Sequence, residues 1–333
     1  MTALLELRPQ GLFCPAGDFY VDPWLPVPRA VITHGHSDHA RAGNGEYHVA
    51  RRGLPILRWR LGEQDYRPLD YGESVMLGDA RVSLHPAGHV LGSAQVRVEV
   101  AGRTWVVSGD YKRDPDPTCE AFEPVPCDVF ITEATFALPV YRWQPTPEVI
   151  AELIAWWGDC RARGQVAVVF CYALGKAQRI LAEIALQLPA DPAWPIYVHG
   201  AIAAGVAVYR EAGVAMYPTE PVAEQAPKRD WAGALVLAPP AAAGSTWMRR
   251  FGKTSTAFAS GWMRIRGNRR RRGHDRGFVI SDHADWPGLL RSIDDSGASR
   301  ILATHGNCEA LVRHLREQGR DAAALRTQFG AEE

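Results

Sequence analysis

The stretch Ala30-Val31-Ile32-Thr33-His34-Gly35-His36-Ser37-Asp38-His39 decides the fold. Residues 30–33 are small, apolar or β-branched, the composition of a short strand, and they run straight into three imidazoles and a carboxylate. Gathering those groups within six residues is unfavourable unless a cation sits among them. Imidazole suits zinc and several other transition metals, and the carboxylate helps to hold a second ion. A lone histidine is more often structural; the HxHxDH spacing points to metal.

These residues cannot complete two sites, so further ligands are expected from other strand ends. The sequence offers His89 in Ala-Gly-His-Val-Leu-Gly-Ser, Asp110 in Ser-Gly-Asp-Tyr, and His305 in Ala-Thr-His-Gly-Asn. Neighbouring glycines let backbone approach closely and free these side chains to point into a site.

Working outward, residues 1–140 read as short strands at 30–33, 82–85, 95–100, 104–108 and 129–132, separated by Gly/Pro/Asp turns. A helix is then expected with Thr146 as its N-cap and Pro147 in its first turn. Val149, Ile150, Leu153, Ile154 and Trp157 fall on one face of it. A strand at 166–171, a helix at about 177–188, a strand at 196–198 and a small-residue helix follow. Alternating strands and helices imply a parallel α/β unit, placed at residues 141–274. Residues 275–333 return to the first unit, with strands at 278–280 and 300–303, each followed by a helix capped by Asp285 and by Asn307.

Composition narrows the class. Apolar residues make up 47% of the 333 and charged residues 22%, a balance expected of a folded soluble protein. No apolar run is long enough to span a membrane. The opening Met-Thr-Ala-Leu-Leu-Glu-Leu-Arg-Pro-Gln lacks the features of an export signal, so a cytoplasmic location is expected. Six cysteines without a CxxC pair read as reduced thiols and not as zinc ligands. Lys+Arg and Asp+Glu both number 37, so attraction for a polyanion must be local. The local candidate is residues 249–276, where basic residues crowd around a single acid, Asp275.

HxHxDH followed by His89, Asp110 and a distant His305 resembles the metallo-β-lactamase superfamily, and Asp22 in Tyr-Val-Asp-Pro-Trp resembles its early strand-end aspartate. Glu133 in Thr-Glu-Ala-Thr-Phe, Gly175-Lys176-Ala177-Gln178, His283 in Ser-Asp-His-Ala-Asp, and His305 resemble motifs of the β-CASP nucleases. The interruption at 141–274 is similar to their inserted domain. Within that branch, the chain length and residues 258–286 most resemble the bacterial DNA-ligase-associated exonucleases.

The resemblance implies an α/β fold, a metallo-β-lactamase αββα sandwich with an inserted β-CASP α/β domain. It implies two divalent ions, zinc foremost and manganese as the alternative active ion. His34, His36 and His89 would hold one, Asp38, His39 and His305 the other, and Asp110 would bridge them. Such a pair generates hydroxide near neutral pH and stabilises both oxygens of an in-line displacement at phosphorus. His283 would act as general acid, Glu133 would hold its imidazole, and Asp22 would orient a ligand.

The expected activity is that of a DNA exonuclease in repair, with DNA ligase and helicase partners implied by the family. An RNA nuclease is the first alternative, because His305 occupies a position where RNA-cutting members carry histidine. A thioester or lactam hydrolase is the second, disfavoured by the insertion and the arginine run. Arg264, Arg266, Arg269, Arg270, Arg271, Arg272 and Arg276 are candidates for phosphate contacts. Lys176 and Gln178 lie where a strand passes into a helix, a natural anion site, unless they only cap it. Trp247, Phe251 and Trp262 would either stack on bases or fill a core. His48, His85, His199, His274 and His314 have no metal-ligand spacing.

Overall fold

The computed structural model of the chain describes residues 3–222, 230–265 and 273–325. They form two compact units: Met1–Arg142 with His283–Glu333, and Trp143–Asp282.

The first unit contains two sheets. One carries β1 (Glu6–Arg8), β2 (Gly11–Cys14), β3 (Phe19–Val21), β4 (Arg29–Ile32), β5 (Glu46–Ala50) and β6 (Tyr66–Leu69), in that spatial order. The other is ordered β19-β18-β11-β10-β9-β8-β7. Its strands are β7 (Ser74–Leu77), β8 (Ala80–Pro86), β9 (Ala94–Val100), β10 (Arg103–Val107), β11 (Val129–Ala134), β18 (Arg300–Gly306) and β19 (Asp321–Ala324).

Alternation along the strands sorts side chains into layers, because successive residues point to opposite faces. Val31, Val107 and Ile131 belong to one apolar cluster with Phe19, Val82 and Leu302, drawn from both sheets. Their neighbours face outward. Ala30 and Ile32 join Tyr47, Val49 and Leu57 of α1 (Leu54–Leu61). Val106 and Phe130 meet Leu289 and Ile293 of α5 (Trp286–Asp295) and Leu311 and Leu315 of α6 (Cys308–Glu317). Helix, sheet, sheet and helix therefore follow in layers, with strand ends along one edge to carry polar residues.

The second unit is built on a parallel sheet ordered β14-β13-β15-β12-β16-β17. The strands are β12 (Val166–Phe170), β13 (Ile196–Val198), β14 (Glu220–Pro221), β15 (Leu235–Ala238), β16 (Thr254–Ala259) and β17 (Arg276–Phe278). Ala167 and Val169 face a core shared with α2 (Thr146–Ala162), α3 (Lys176–Gln187) and α4 (Gly200–Glu211). Val166, Val168 and Phe170 face a second core containing Trp231 and Phe251.

Three local expectations change. The second unit ends at Asp282, not near residue 274, because β17 pairs with β16 inside its sheet; that strand also begins at Arg276, two residues before the expected start. Thr146 does not cap α2 but is its first residue, and its hydroxyl accepts from Arg179 Nη2 at 2.7 Å. Asn307 precedes α6 without a capping bond, and its amide donates to the Thr135 carbonyl at 3.2 Å. Asp285 does cap α5, accepting from Gly288 N at 2.9 Å. All six cysteines are free. Among the described residues no helix is long and apolar enough to cross a membrane.

Candidate metal centre

The site grows from the end of β4. Thr33 donates through its amide to Asp22 Oδ1 at 2.8 Å and through its hydroxyl to Asp22 Oδ2 at 2.6 Å, locking the loops after β3 and β4 together. Asp22 adopts a left-handed φ of 44°, uncommon for a non-glycine residue. The same Oδ2 stands 2.7 Å from His39 Nδ1, so Asp22 lies behind a histidine and outside the ligand groups. Gly109 has φ 56°, and a Cβ there would stand 2.7 Å from Cβ of Thr33. Only glycine combines that conformation with that approach, and Asp110 enters the site as a result.

Two groups of donor atoms result: His34, His36, His89 and Asp110 in one, Asp38, His39 and His305 in the other. In the first, His36 Nδ1 lies 3.1 Å from His34 Nε2 and 3.0 Å from His89 Nε2. Asp110 Oδ2 is 3.5 Å from His34 Nε2 and 3.7 Å from His89 Nε2. In the second, His39 Nε2 is 3.5 Å from Asp38 Oδ2. Asp110 reaches this group too, with Oδ2 at 3.4 Å from His39 Nε2 and Oδ1 at 4.0 Å from His305 Nδ1.

The donors suit divalent ions. Ligands about 2.1 Å from a tetrahedral zinc stand about 3.4 Å from one another, close to the spacings above. Three ring nitrogens, from His34, His36 and His89, converge, two of them within 3.0–3.1 Å of His36 Nδ1, an arrangement that a cation would stabilise. His39 Nε2 is buried, makes no well-aligned hydrogen bond among the described residues, and faces the second group.

Protonation favours ligation at His34 and His305 and opposes it at His39. Burial, with His39 and His89 close by, pushes His34 well below 6.5 and keeps its lone pair available. Burial and His39 also lower His305. Burial works against a charged His39, but Asp110 and Asp22 outweigh it and raise the ring well above 6.5. Burial likewise opposes ionisation of Asp110, yet His39 and His283 hold it well below the usual carboxylate range.

A third group joins Asp110 to Glu133 and His283. Glu133 is buried near the end of β11, and its carboxylate lies 2.9 and 3.1 Å from His283 Nδ1. Tyr111 ties this pair to Asp110: its amide donates to Glu133 Oε1 at 2.8 Å, and its carbonyl accepts from Ala284 N at 2.7 Å. The His283 ring centre stands 4.7 Å from that of His89.

The nucleic-acid candidates divide. Lys176 and Gln178 are buried and engaged within the second unit. Lys176 is 3% exposed and pairs with Asp282 Oδ2 at 2.5 Å, while Gln178 is fully buried, accepting from Gly175 N and donating to the Ala173 carbonyl. The glycine N-terminus of α3 uses that side chain as its cap. Phe251 is core, and Trp247 and Trp262 pack against the same cluster. Arg264 is exposed. Arg276 is half exposed, 3.6 Å from Glu152. Arg266, Arg269, Arg270, Arg271 and Arg272 lie outside the described residues. Thr33 and Tyr111 carry structural roles that the sequence reading passed over; a polar β-branched residue directly before HxHxDH is the one available signal for Thr33.

No protein-family model matches the chain. A protein of Opitutus terrae named "Probable DNA ligase" is 30% identical over 318 residues, covering 95% of this chain and 30% of that one. A ribonuclease of Thermus thermophilus is 31% identical over 208 residues, 54% of this chain and 48% of its own. Endoribonuclease ysh-1 of Neurospora crassa is 33% identical over 116 residues, 34% of this chain and 13% of that protein. The likenesses point to the metallo-β-lactamase/β-CASP nuclease family. This chain spans less than half the length of each of these relatives. A solved structure from Enterococcus faecalis V583, described as a protein of unknown function, superposes with a TM-score of 0.59 at 11% identity, covering 90% of this chain and 79% of that one. At that identity the likeness speaks for the fold alone.

Proposed function

We propose that the chain is a metal-dependent nuclease that hydrolyses phosphodiester bonds, and specifically a DNA exonuclease working in repair. The observation that supports this is the meeting of two ion-binding groups at Asp110, beside an imidazole held by Glu133.

His34, His36 and His89 would hold one ion, Asp38, His39 and His305 the other, and Asp110 both. When bound, two divalent cations supply Lewis acidity, bringing water within reach of deprotonation near neutral pH and stabilising charge on phosphate oxygens. The nitrogen and oxygen donors suit zinc and accommodate manganese. Asp22 fixes the His39 ring through Nδ1 and leaves Nε2 turned toward Asp110. Glu133 engages Nδ1 of His283, which leaves Nε2 to deliver a proton to the departing alcohol oxygen.

The DNA reading draws on the resemblance and on the name of the Opitutus relative; an association with ligase and helicase partners rests on the same grounds. RNA is the second reading, favoured by His305 and by the names of the Thermus and Neurospora relatives. End-labelled single- and double-stranded DNA and RNA, digested with zinc, manganese or magnesium, test both. Mononucleotide release from DNA is expected. Cleavage confined to RNA replaces the DNA reading, and no cleavage of either polymer by metal-loaded protein removes the nuclease reading.

A further inference from the structure

Helix α1 touches both histidine loops of the first ion group. Its Ile56 meets Gly35, between His34 and His36: a Cβ there would stand 2.6 Å from Ile56 Cγ2. Gly53, just before α1, packs on Gly92, three residues after His89, so closely that a Cβ at Gly92 would overlap the Gly53 backbone. One turn beyond Ile56 on the same face, Arg60 donates from Nη1 to the Gly35 carbonyl. Residues four apart on a helix are neighbours, so Ile56 and Arg60 grip one peptide from two sides.

Burial works against the Arg60 guanidinium and the Asp38 carboxylate favours it; its hydrogen bond goes to the backbone between His34 and His36. Three other arginines of this segment are exposed and pair with carboxylates: Arg51 with Asp70, Arg52 with Glu120 and Arg58 with Glu63. Arg60 instead holds a backbone carbonyl of the metal loop.

We propose that Arg60 is a positioning residue for the His34, His36, His89 and Asp110 group, setting the His34–His36 separation by clamping the Gly35 peptide. This rests on the reading of that group as an ion site. Loss of the clamp lets the loop relax and weakens the ion that it holds.

The test is direct titration of ion-free protein with zinc and with cobalt, whose visible spectrum reports ligand geometry, for the parent chain, Arg60→Met, Arg60→Lys and the control Arg58→Met. Orientation of ligands by outlying partners is worth roughly 10- to 100-fold in metal affinity. Arg60→Met is expected to weaken one of the two ions by that factor and shift the cobalt spectrum, with an unchanged melting temperature in the ion-free state. Arg60→Lys, which keeps a donor, should recover part of the loss, and Arg58→Met should match the parent.

The alternative has the opposite sign: if Arg60 acts only through its charge, removing it strengthens ion binding, and the proposal falls. Unaltered affinity and spectrum with a raised KM would place Arg60 on the substrate, and also overturn it. A parent chain that binds no ion refutes the metal reading itself, a result separable from any difference between variants.

Discussion

Glu133 receives the Nδ1 edge of His283 across both carboxylate oxygens, at 2.9 and 3.1 Å, although 150 residues separate the two in sequence. A buried carboxylate so placed fixes the ring's orientation and tautomer. Neither residue lies in the two groups that surround Asp110 from the His34–His39 loop.

His283→Ala is therefore expected to lower kcat by roughly 10²- to 10⁴-fold, the usual worth of a general acid, while two ions remain bound. Glu133→Gln should lose less. Turnover of His283→Ala within a few-fold of the parent, measured beside its metal content, would remove the acid role.

Ion binding should release protons. In the ion-free protein Asp110 and Asp22 raise His39 well above 6.5, against the pull of burial, which favours the protonated ring. An ion must displace that proton. Apparent affinity is then expected to climb with pH until pH passes the raised value, and to level off above it. Calorimetric titrations in buffers of different ionisation enthalpy measure the count directly; zero protons released at pH 7 would contradict the assignment of His39 as ligand.

Asp110→Asn should disturb both groups at once, since its oxygens lie 3.4 to 4.0 Å from His34, His39, His89 and His305. Affinity is expected to fall by more than about 100-fold for each ion. Retention of one tight ion by this variant would show that Asp110 serves a single group.

Gly109→Ala combines a left-handed φ with a clash at Thr33. Strain of this kind costs about 1–3 kcal/mol, measurable by denaturant unfolding. A variant as stable as the parent would mean that the Thr33 and Gly109 loops separate easily, and that their close approach does not hold the site.

Lys176→Ala tests the reassignment of the Gly-Lys-Ala-Gln motif. It takes the nearer of two cations from the buried Asp282, leaving Arg179 Nη1 at 3.8 Å, and breaking a buried pair costs up to about 3–5 kcal/mol. The salt dependence of nucleic-acid affinity should not change. A shallower salt slope with unaltered stability would instead return Lys176 to a phosphate.

What the sequence disclosed follows from the range over which each cause acts. HxHxDH is legible because its donors are consecutive and leave a strand end, so local geometry brings them together. His89, Asp110 and His305 were legible as ligand candidates through their glycine-rich turns. The end of the second unit was not, because β17 is assigned by pairing with β16, a tertiary event that residues 275–282 do not advertise. Thr146 and Asn307 carry good capping chemistry, yet Arg179 and Thr135 claim their side chains. Lys176 resembles a surface anion ligand until Asp282 is placed beside it. Arg60 looks like one basic residue among several, and only packing against Gly35 distinguishes it.

Strand β18 lies directly beside β11, with Glu133 opposite Thr304, yet the whole of Trp143–Asp282 is spelled out between them. A ribosome must finish that insertion before β18 can join β11 in the sheet. Until residue 305 emerges, the second ion group lacks one of its three members, and until residue 283 emerges Glu133 has no imidazole to hold. Translation order thus delays both assemblies: a nascent chain that stops within the insertion carries neither the third member of the second ion group nor the imidazole that Glu133 holds.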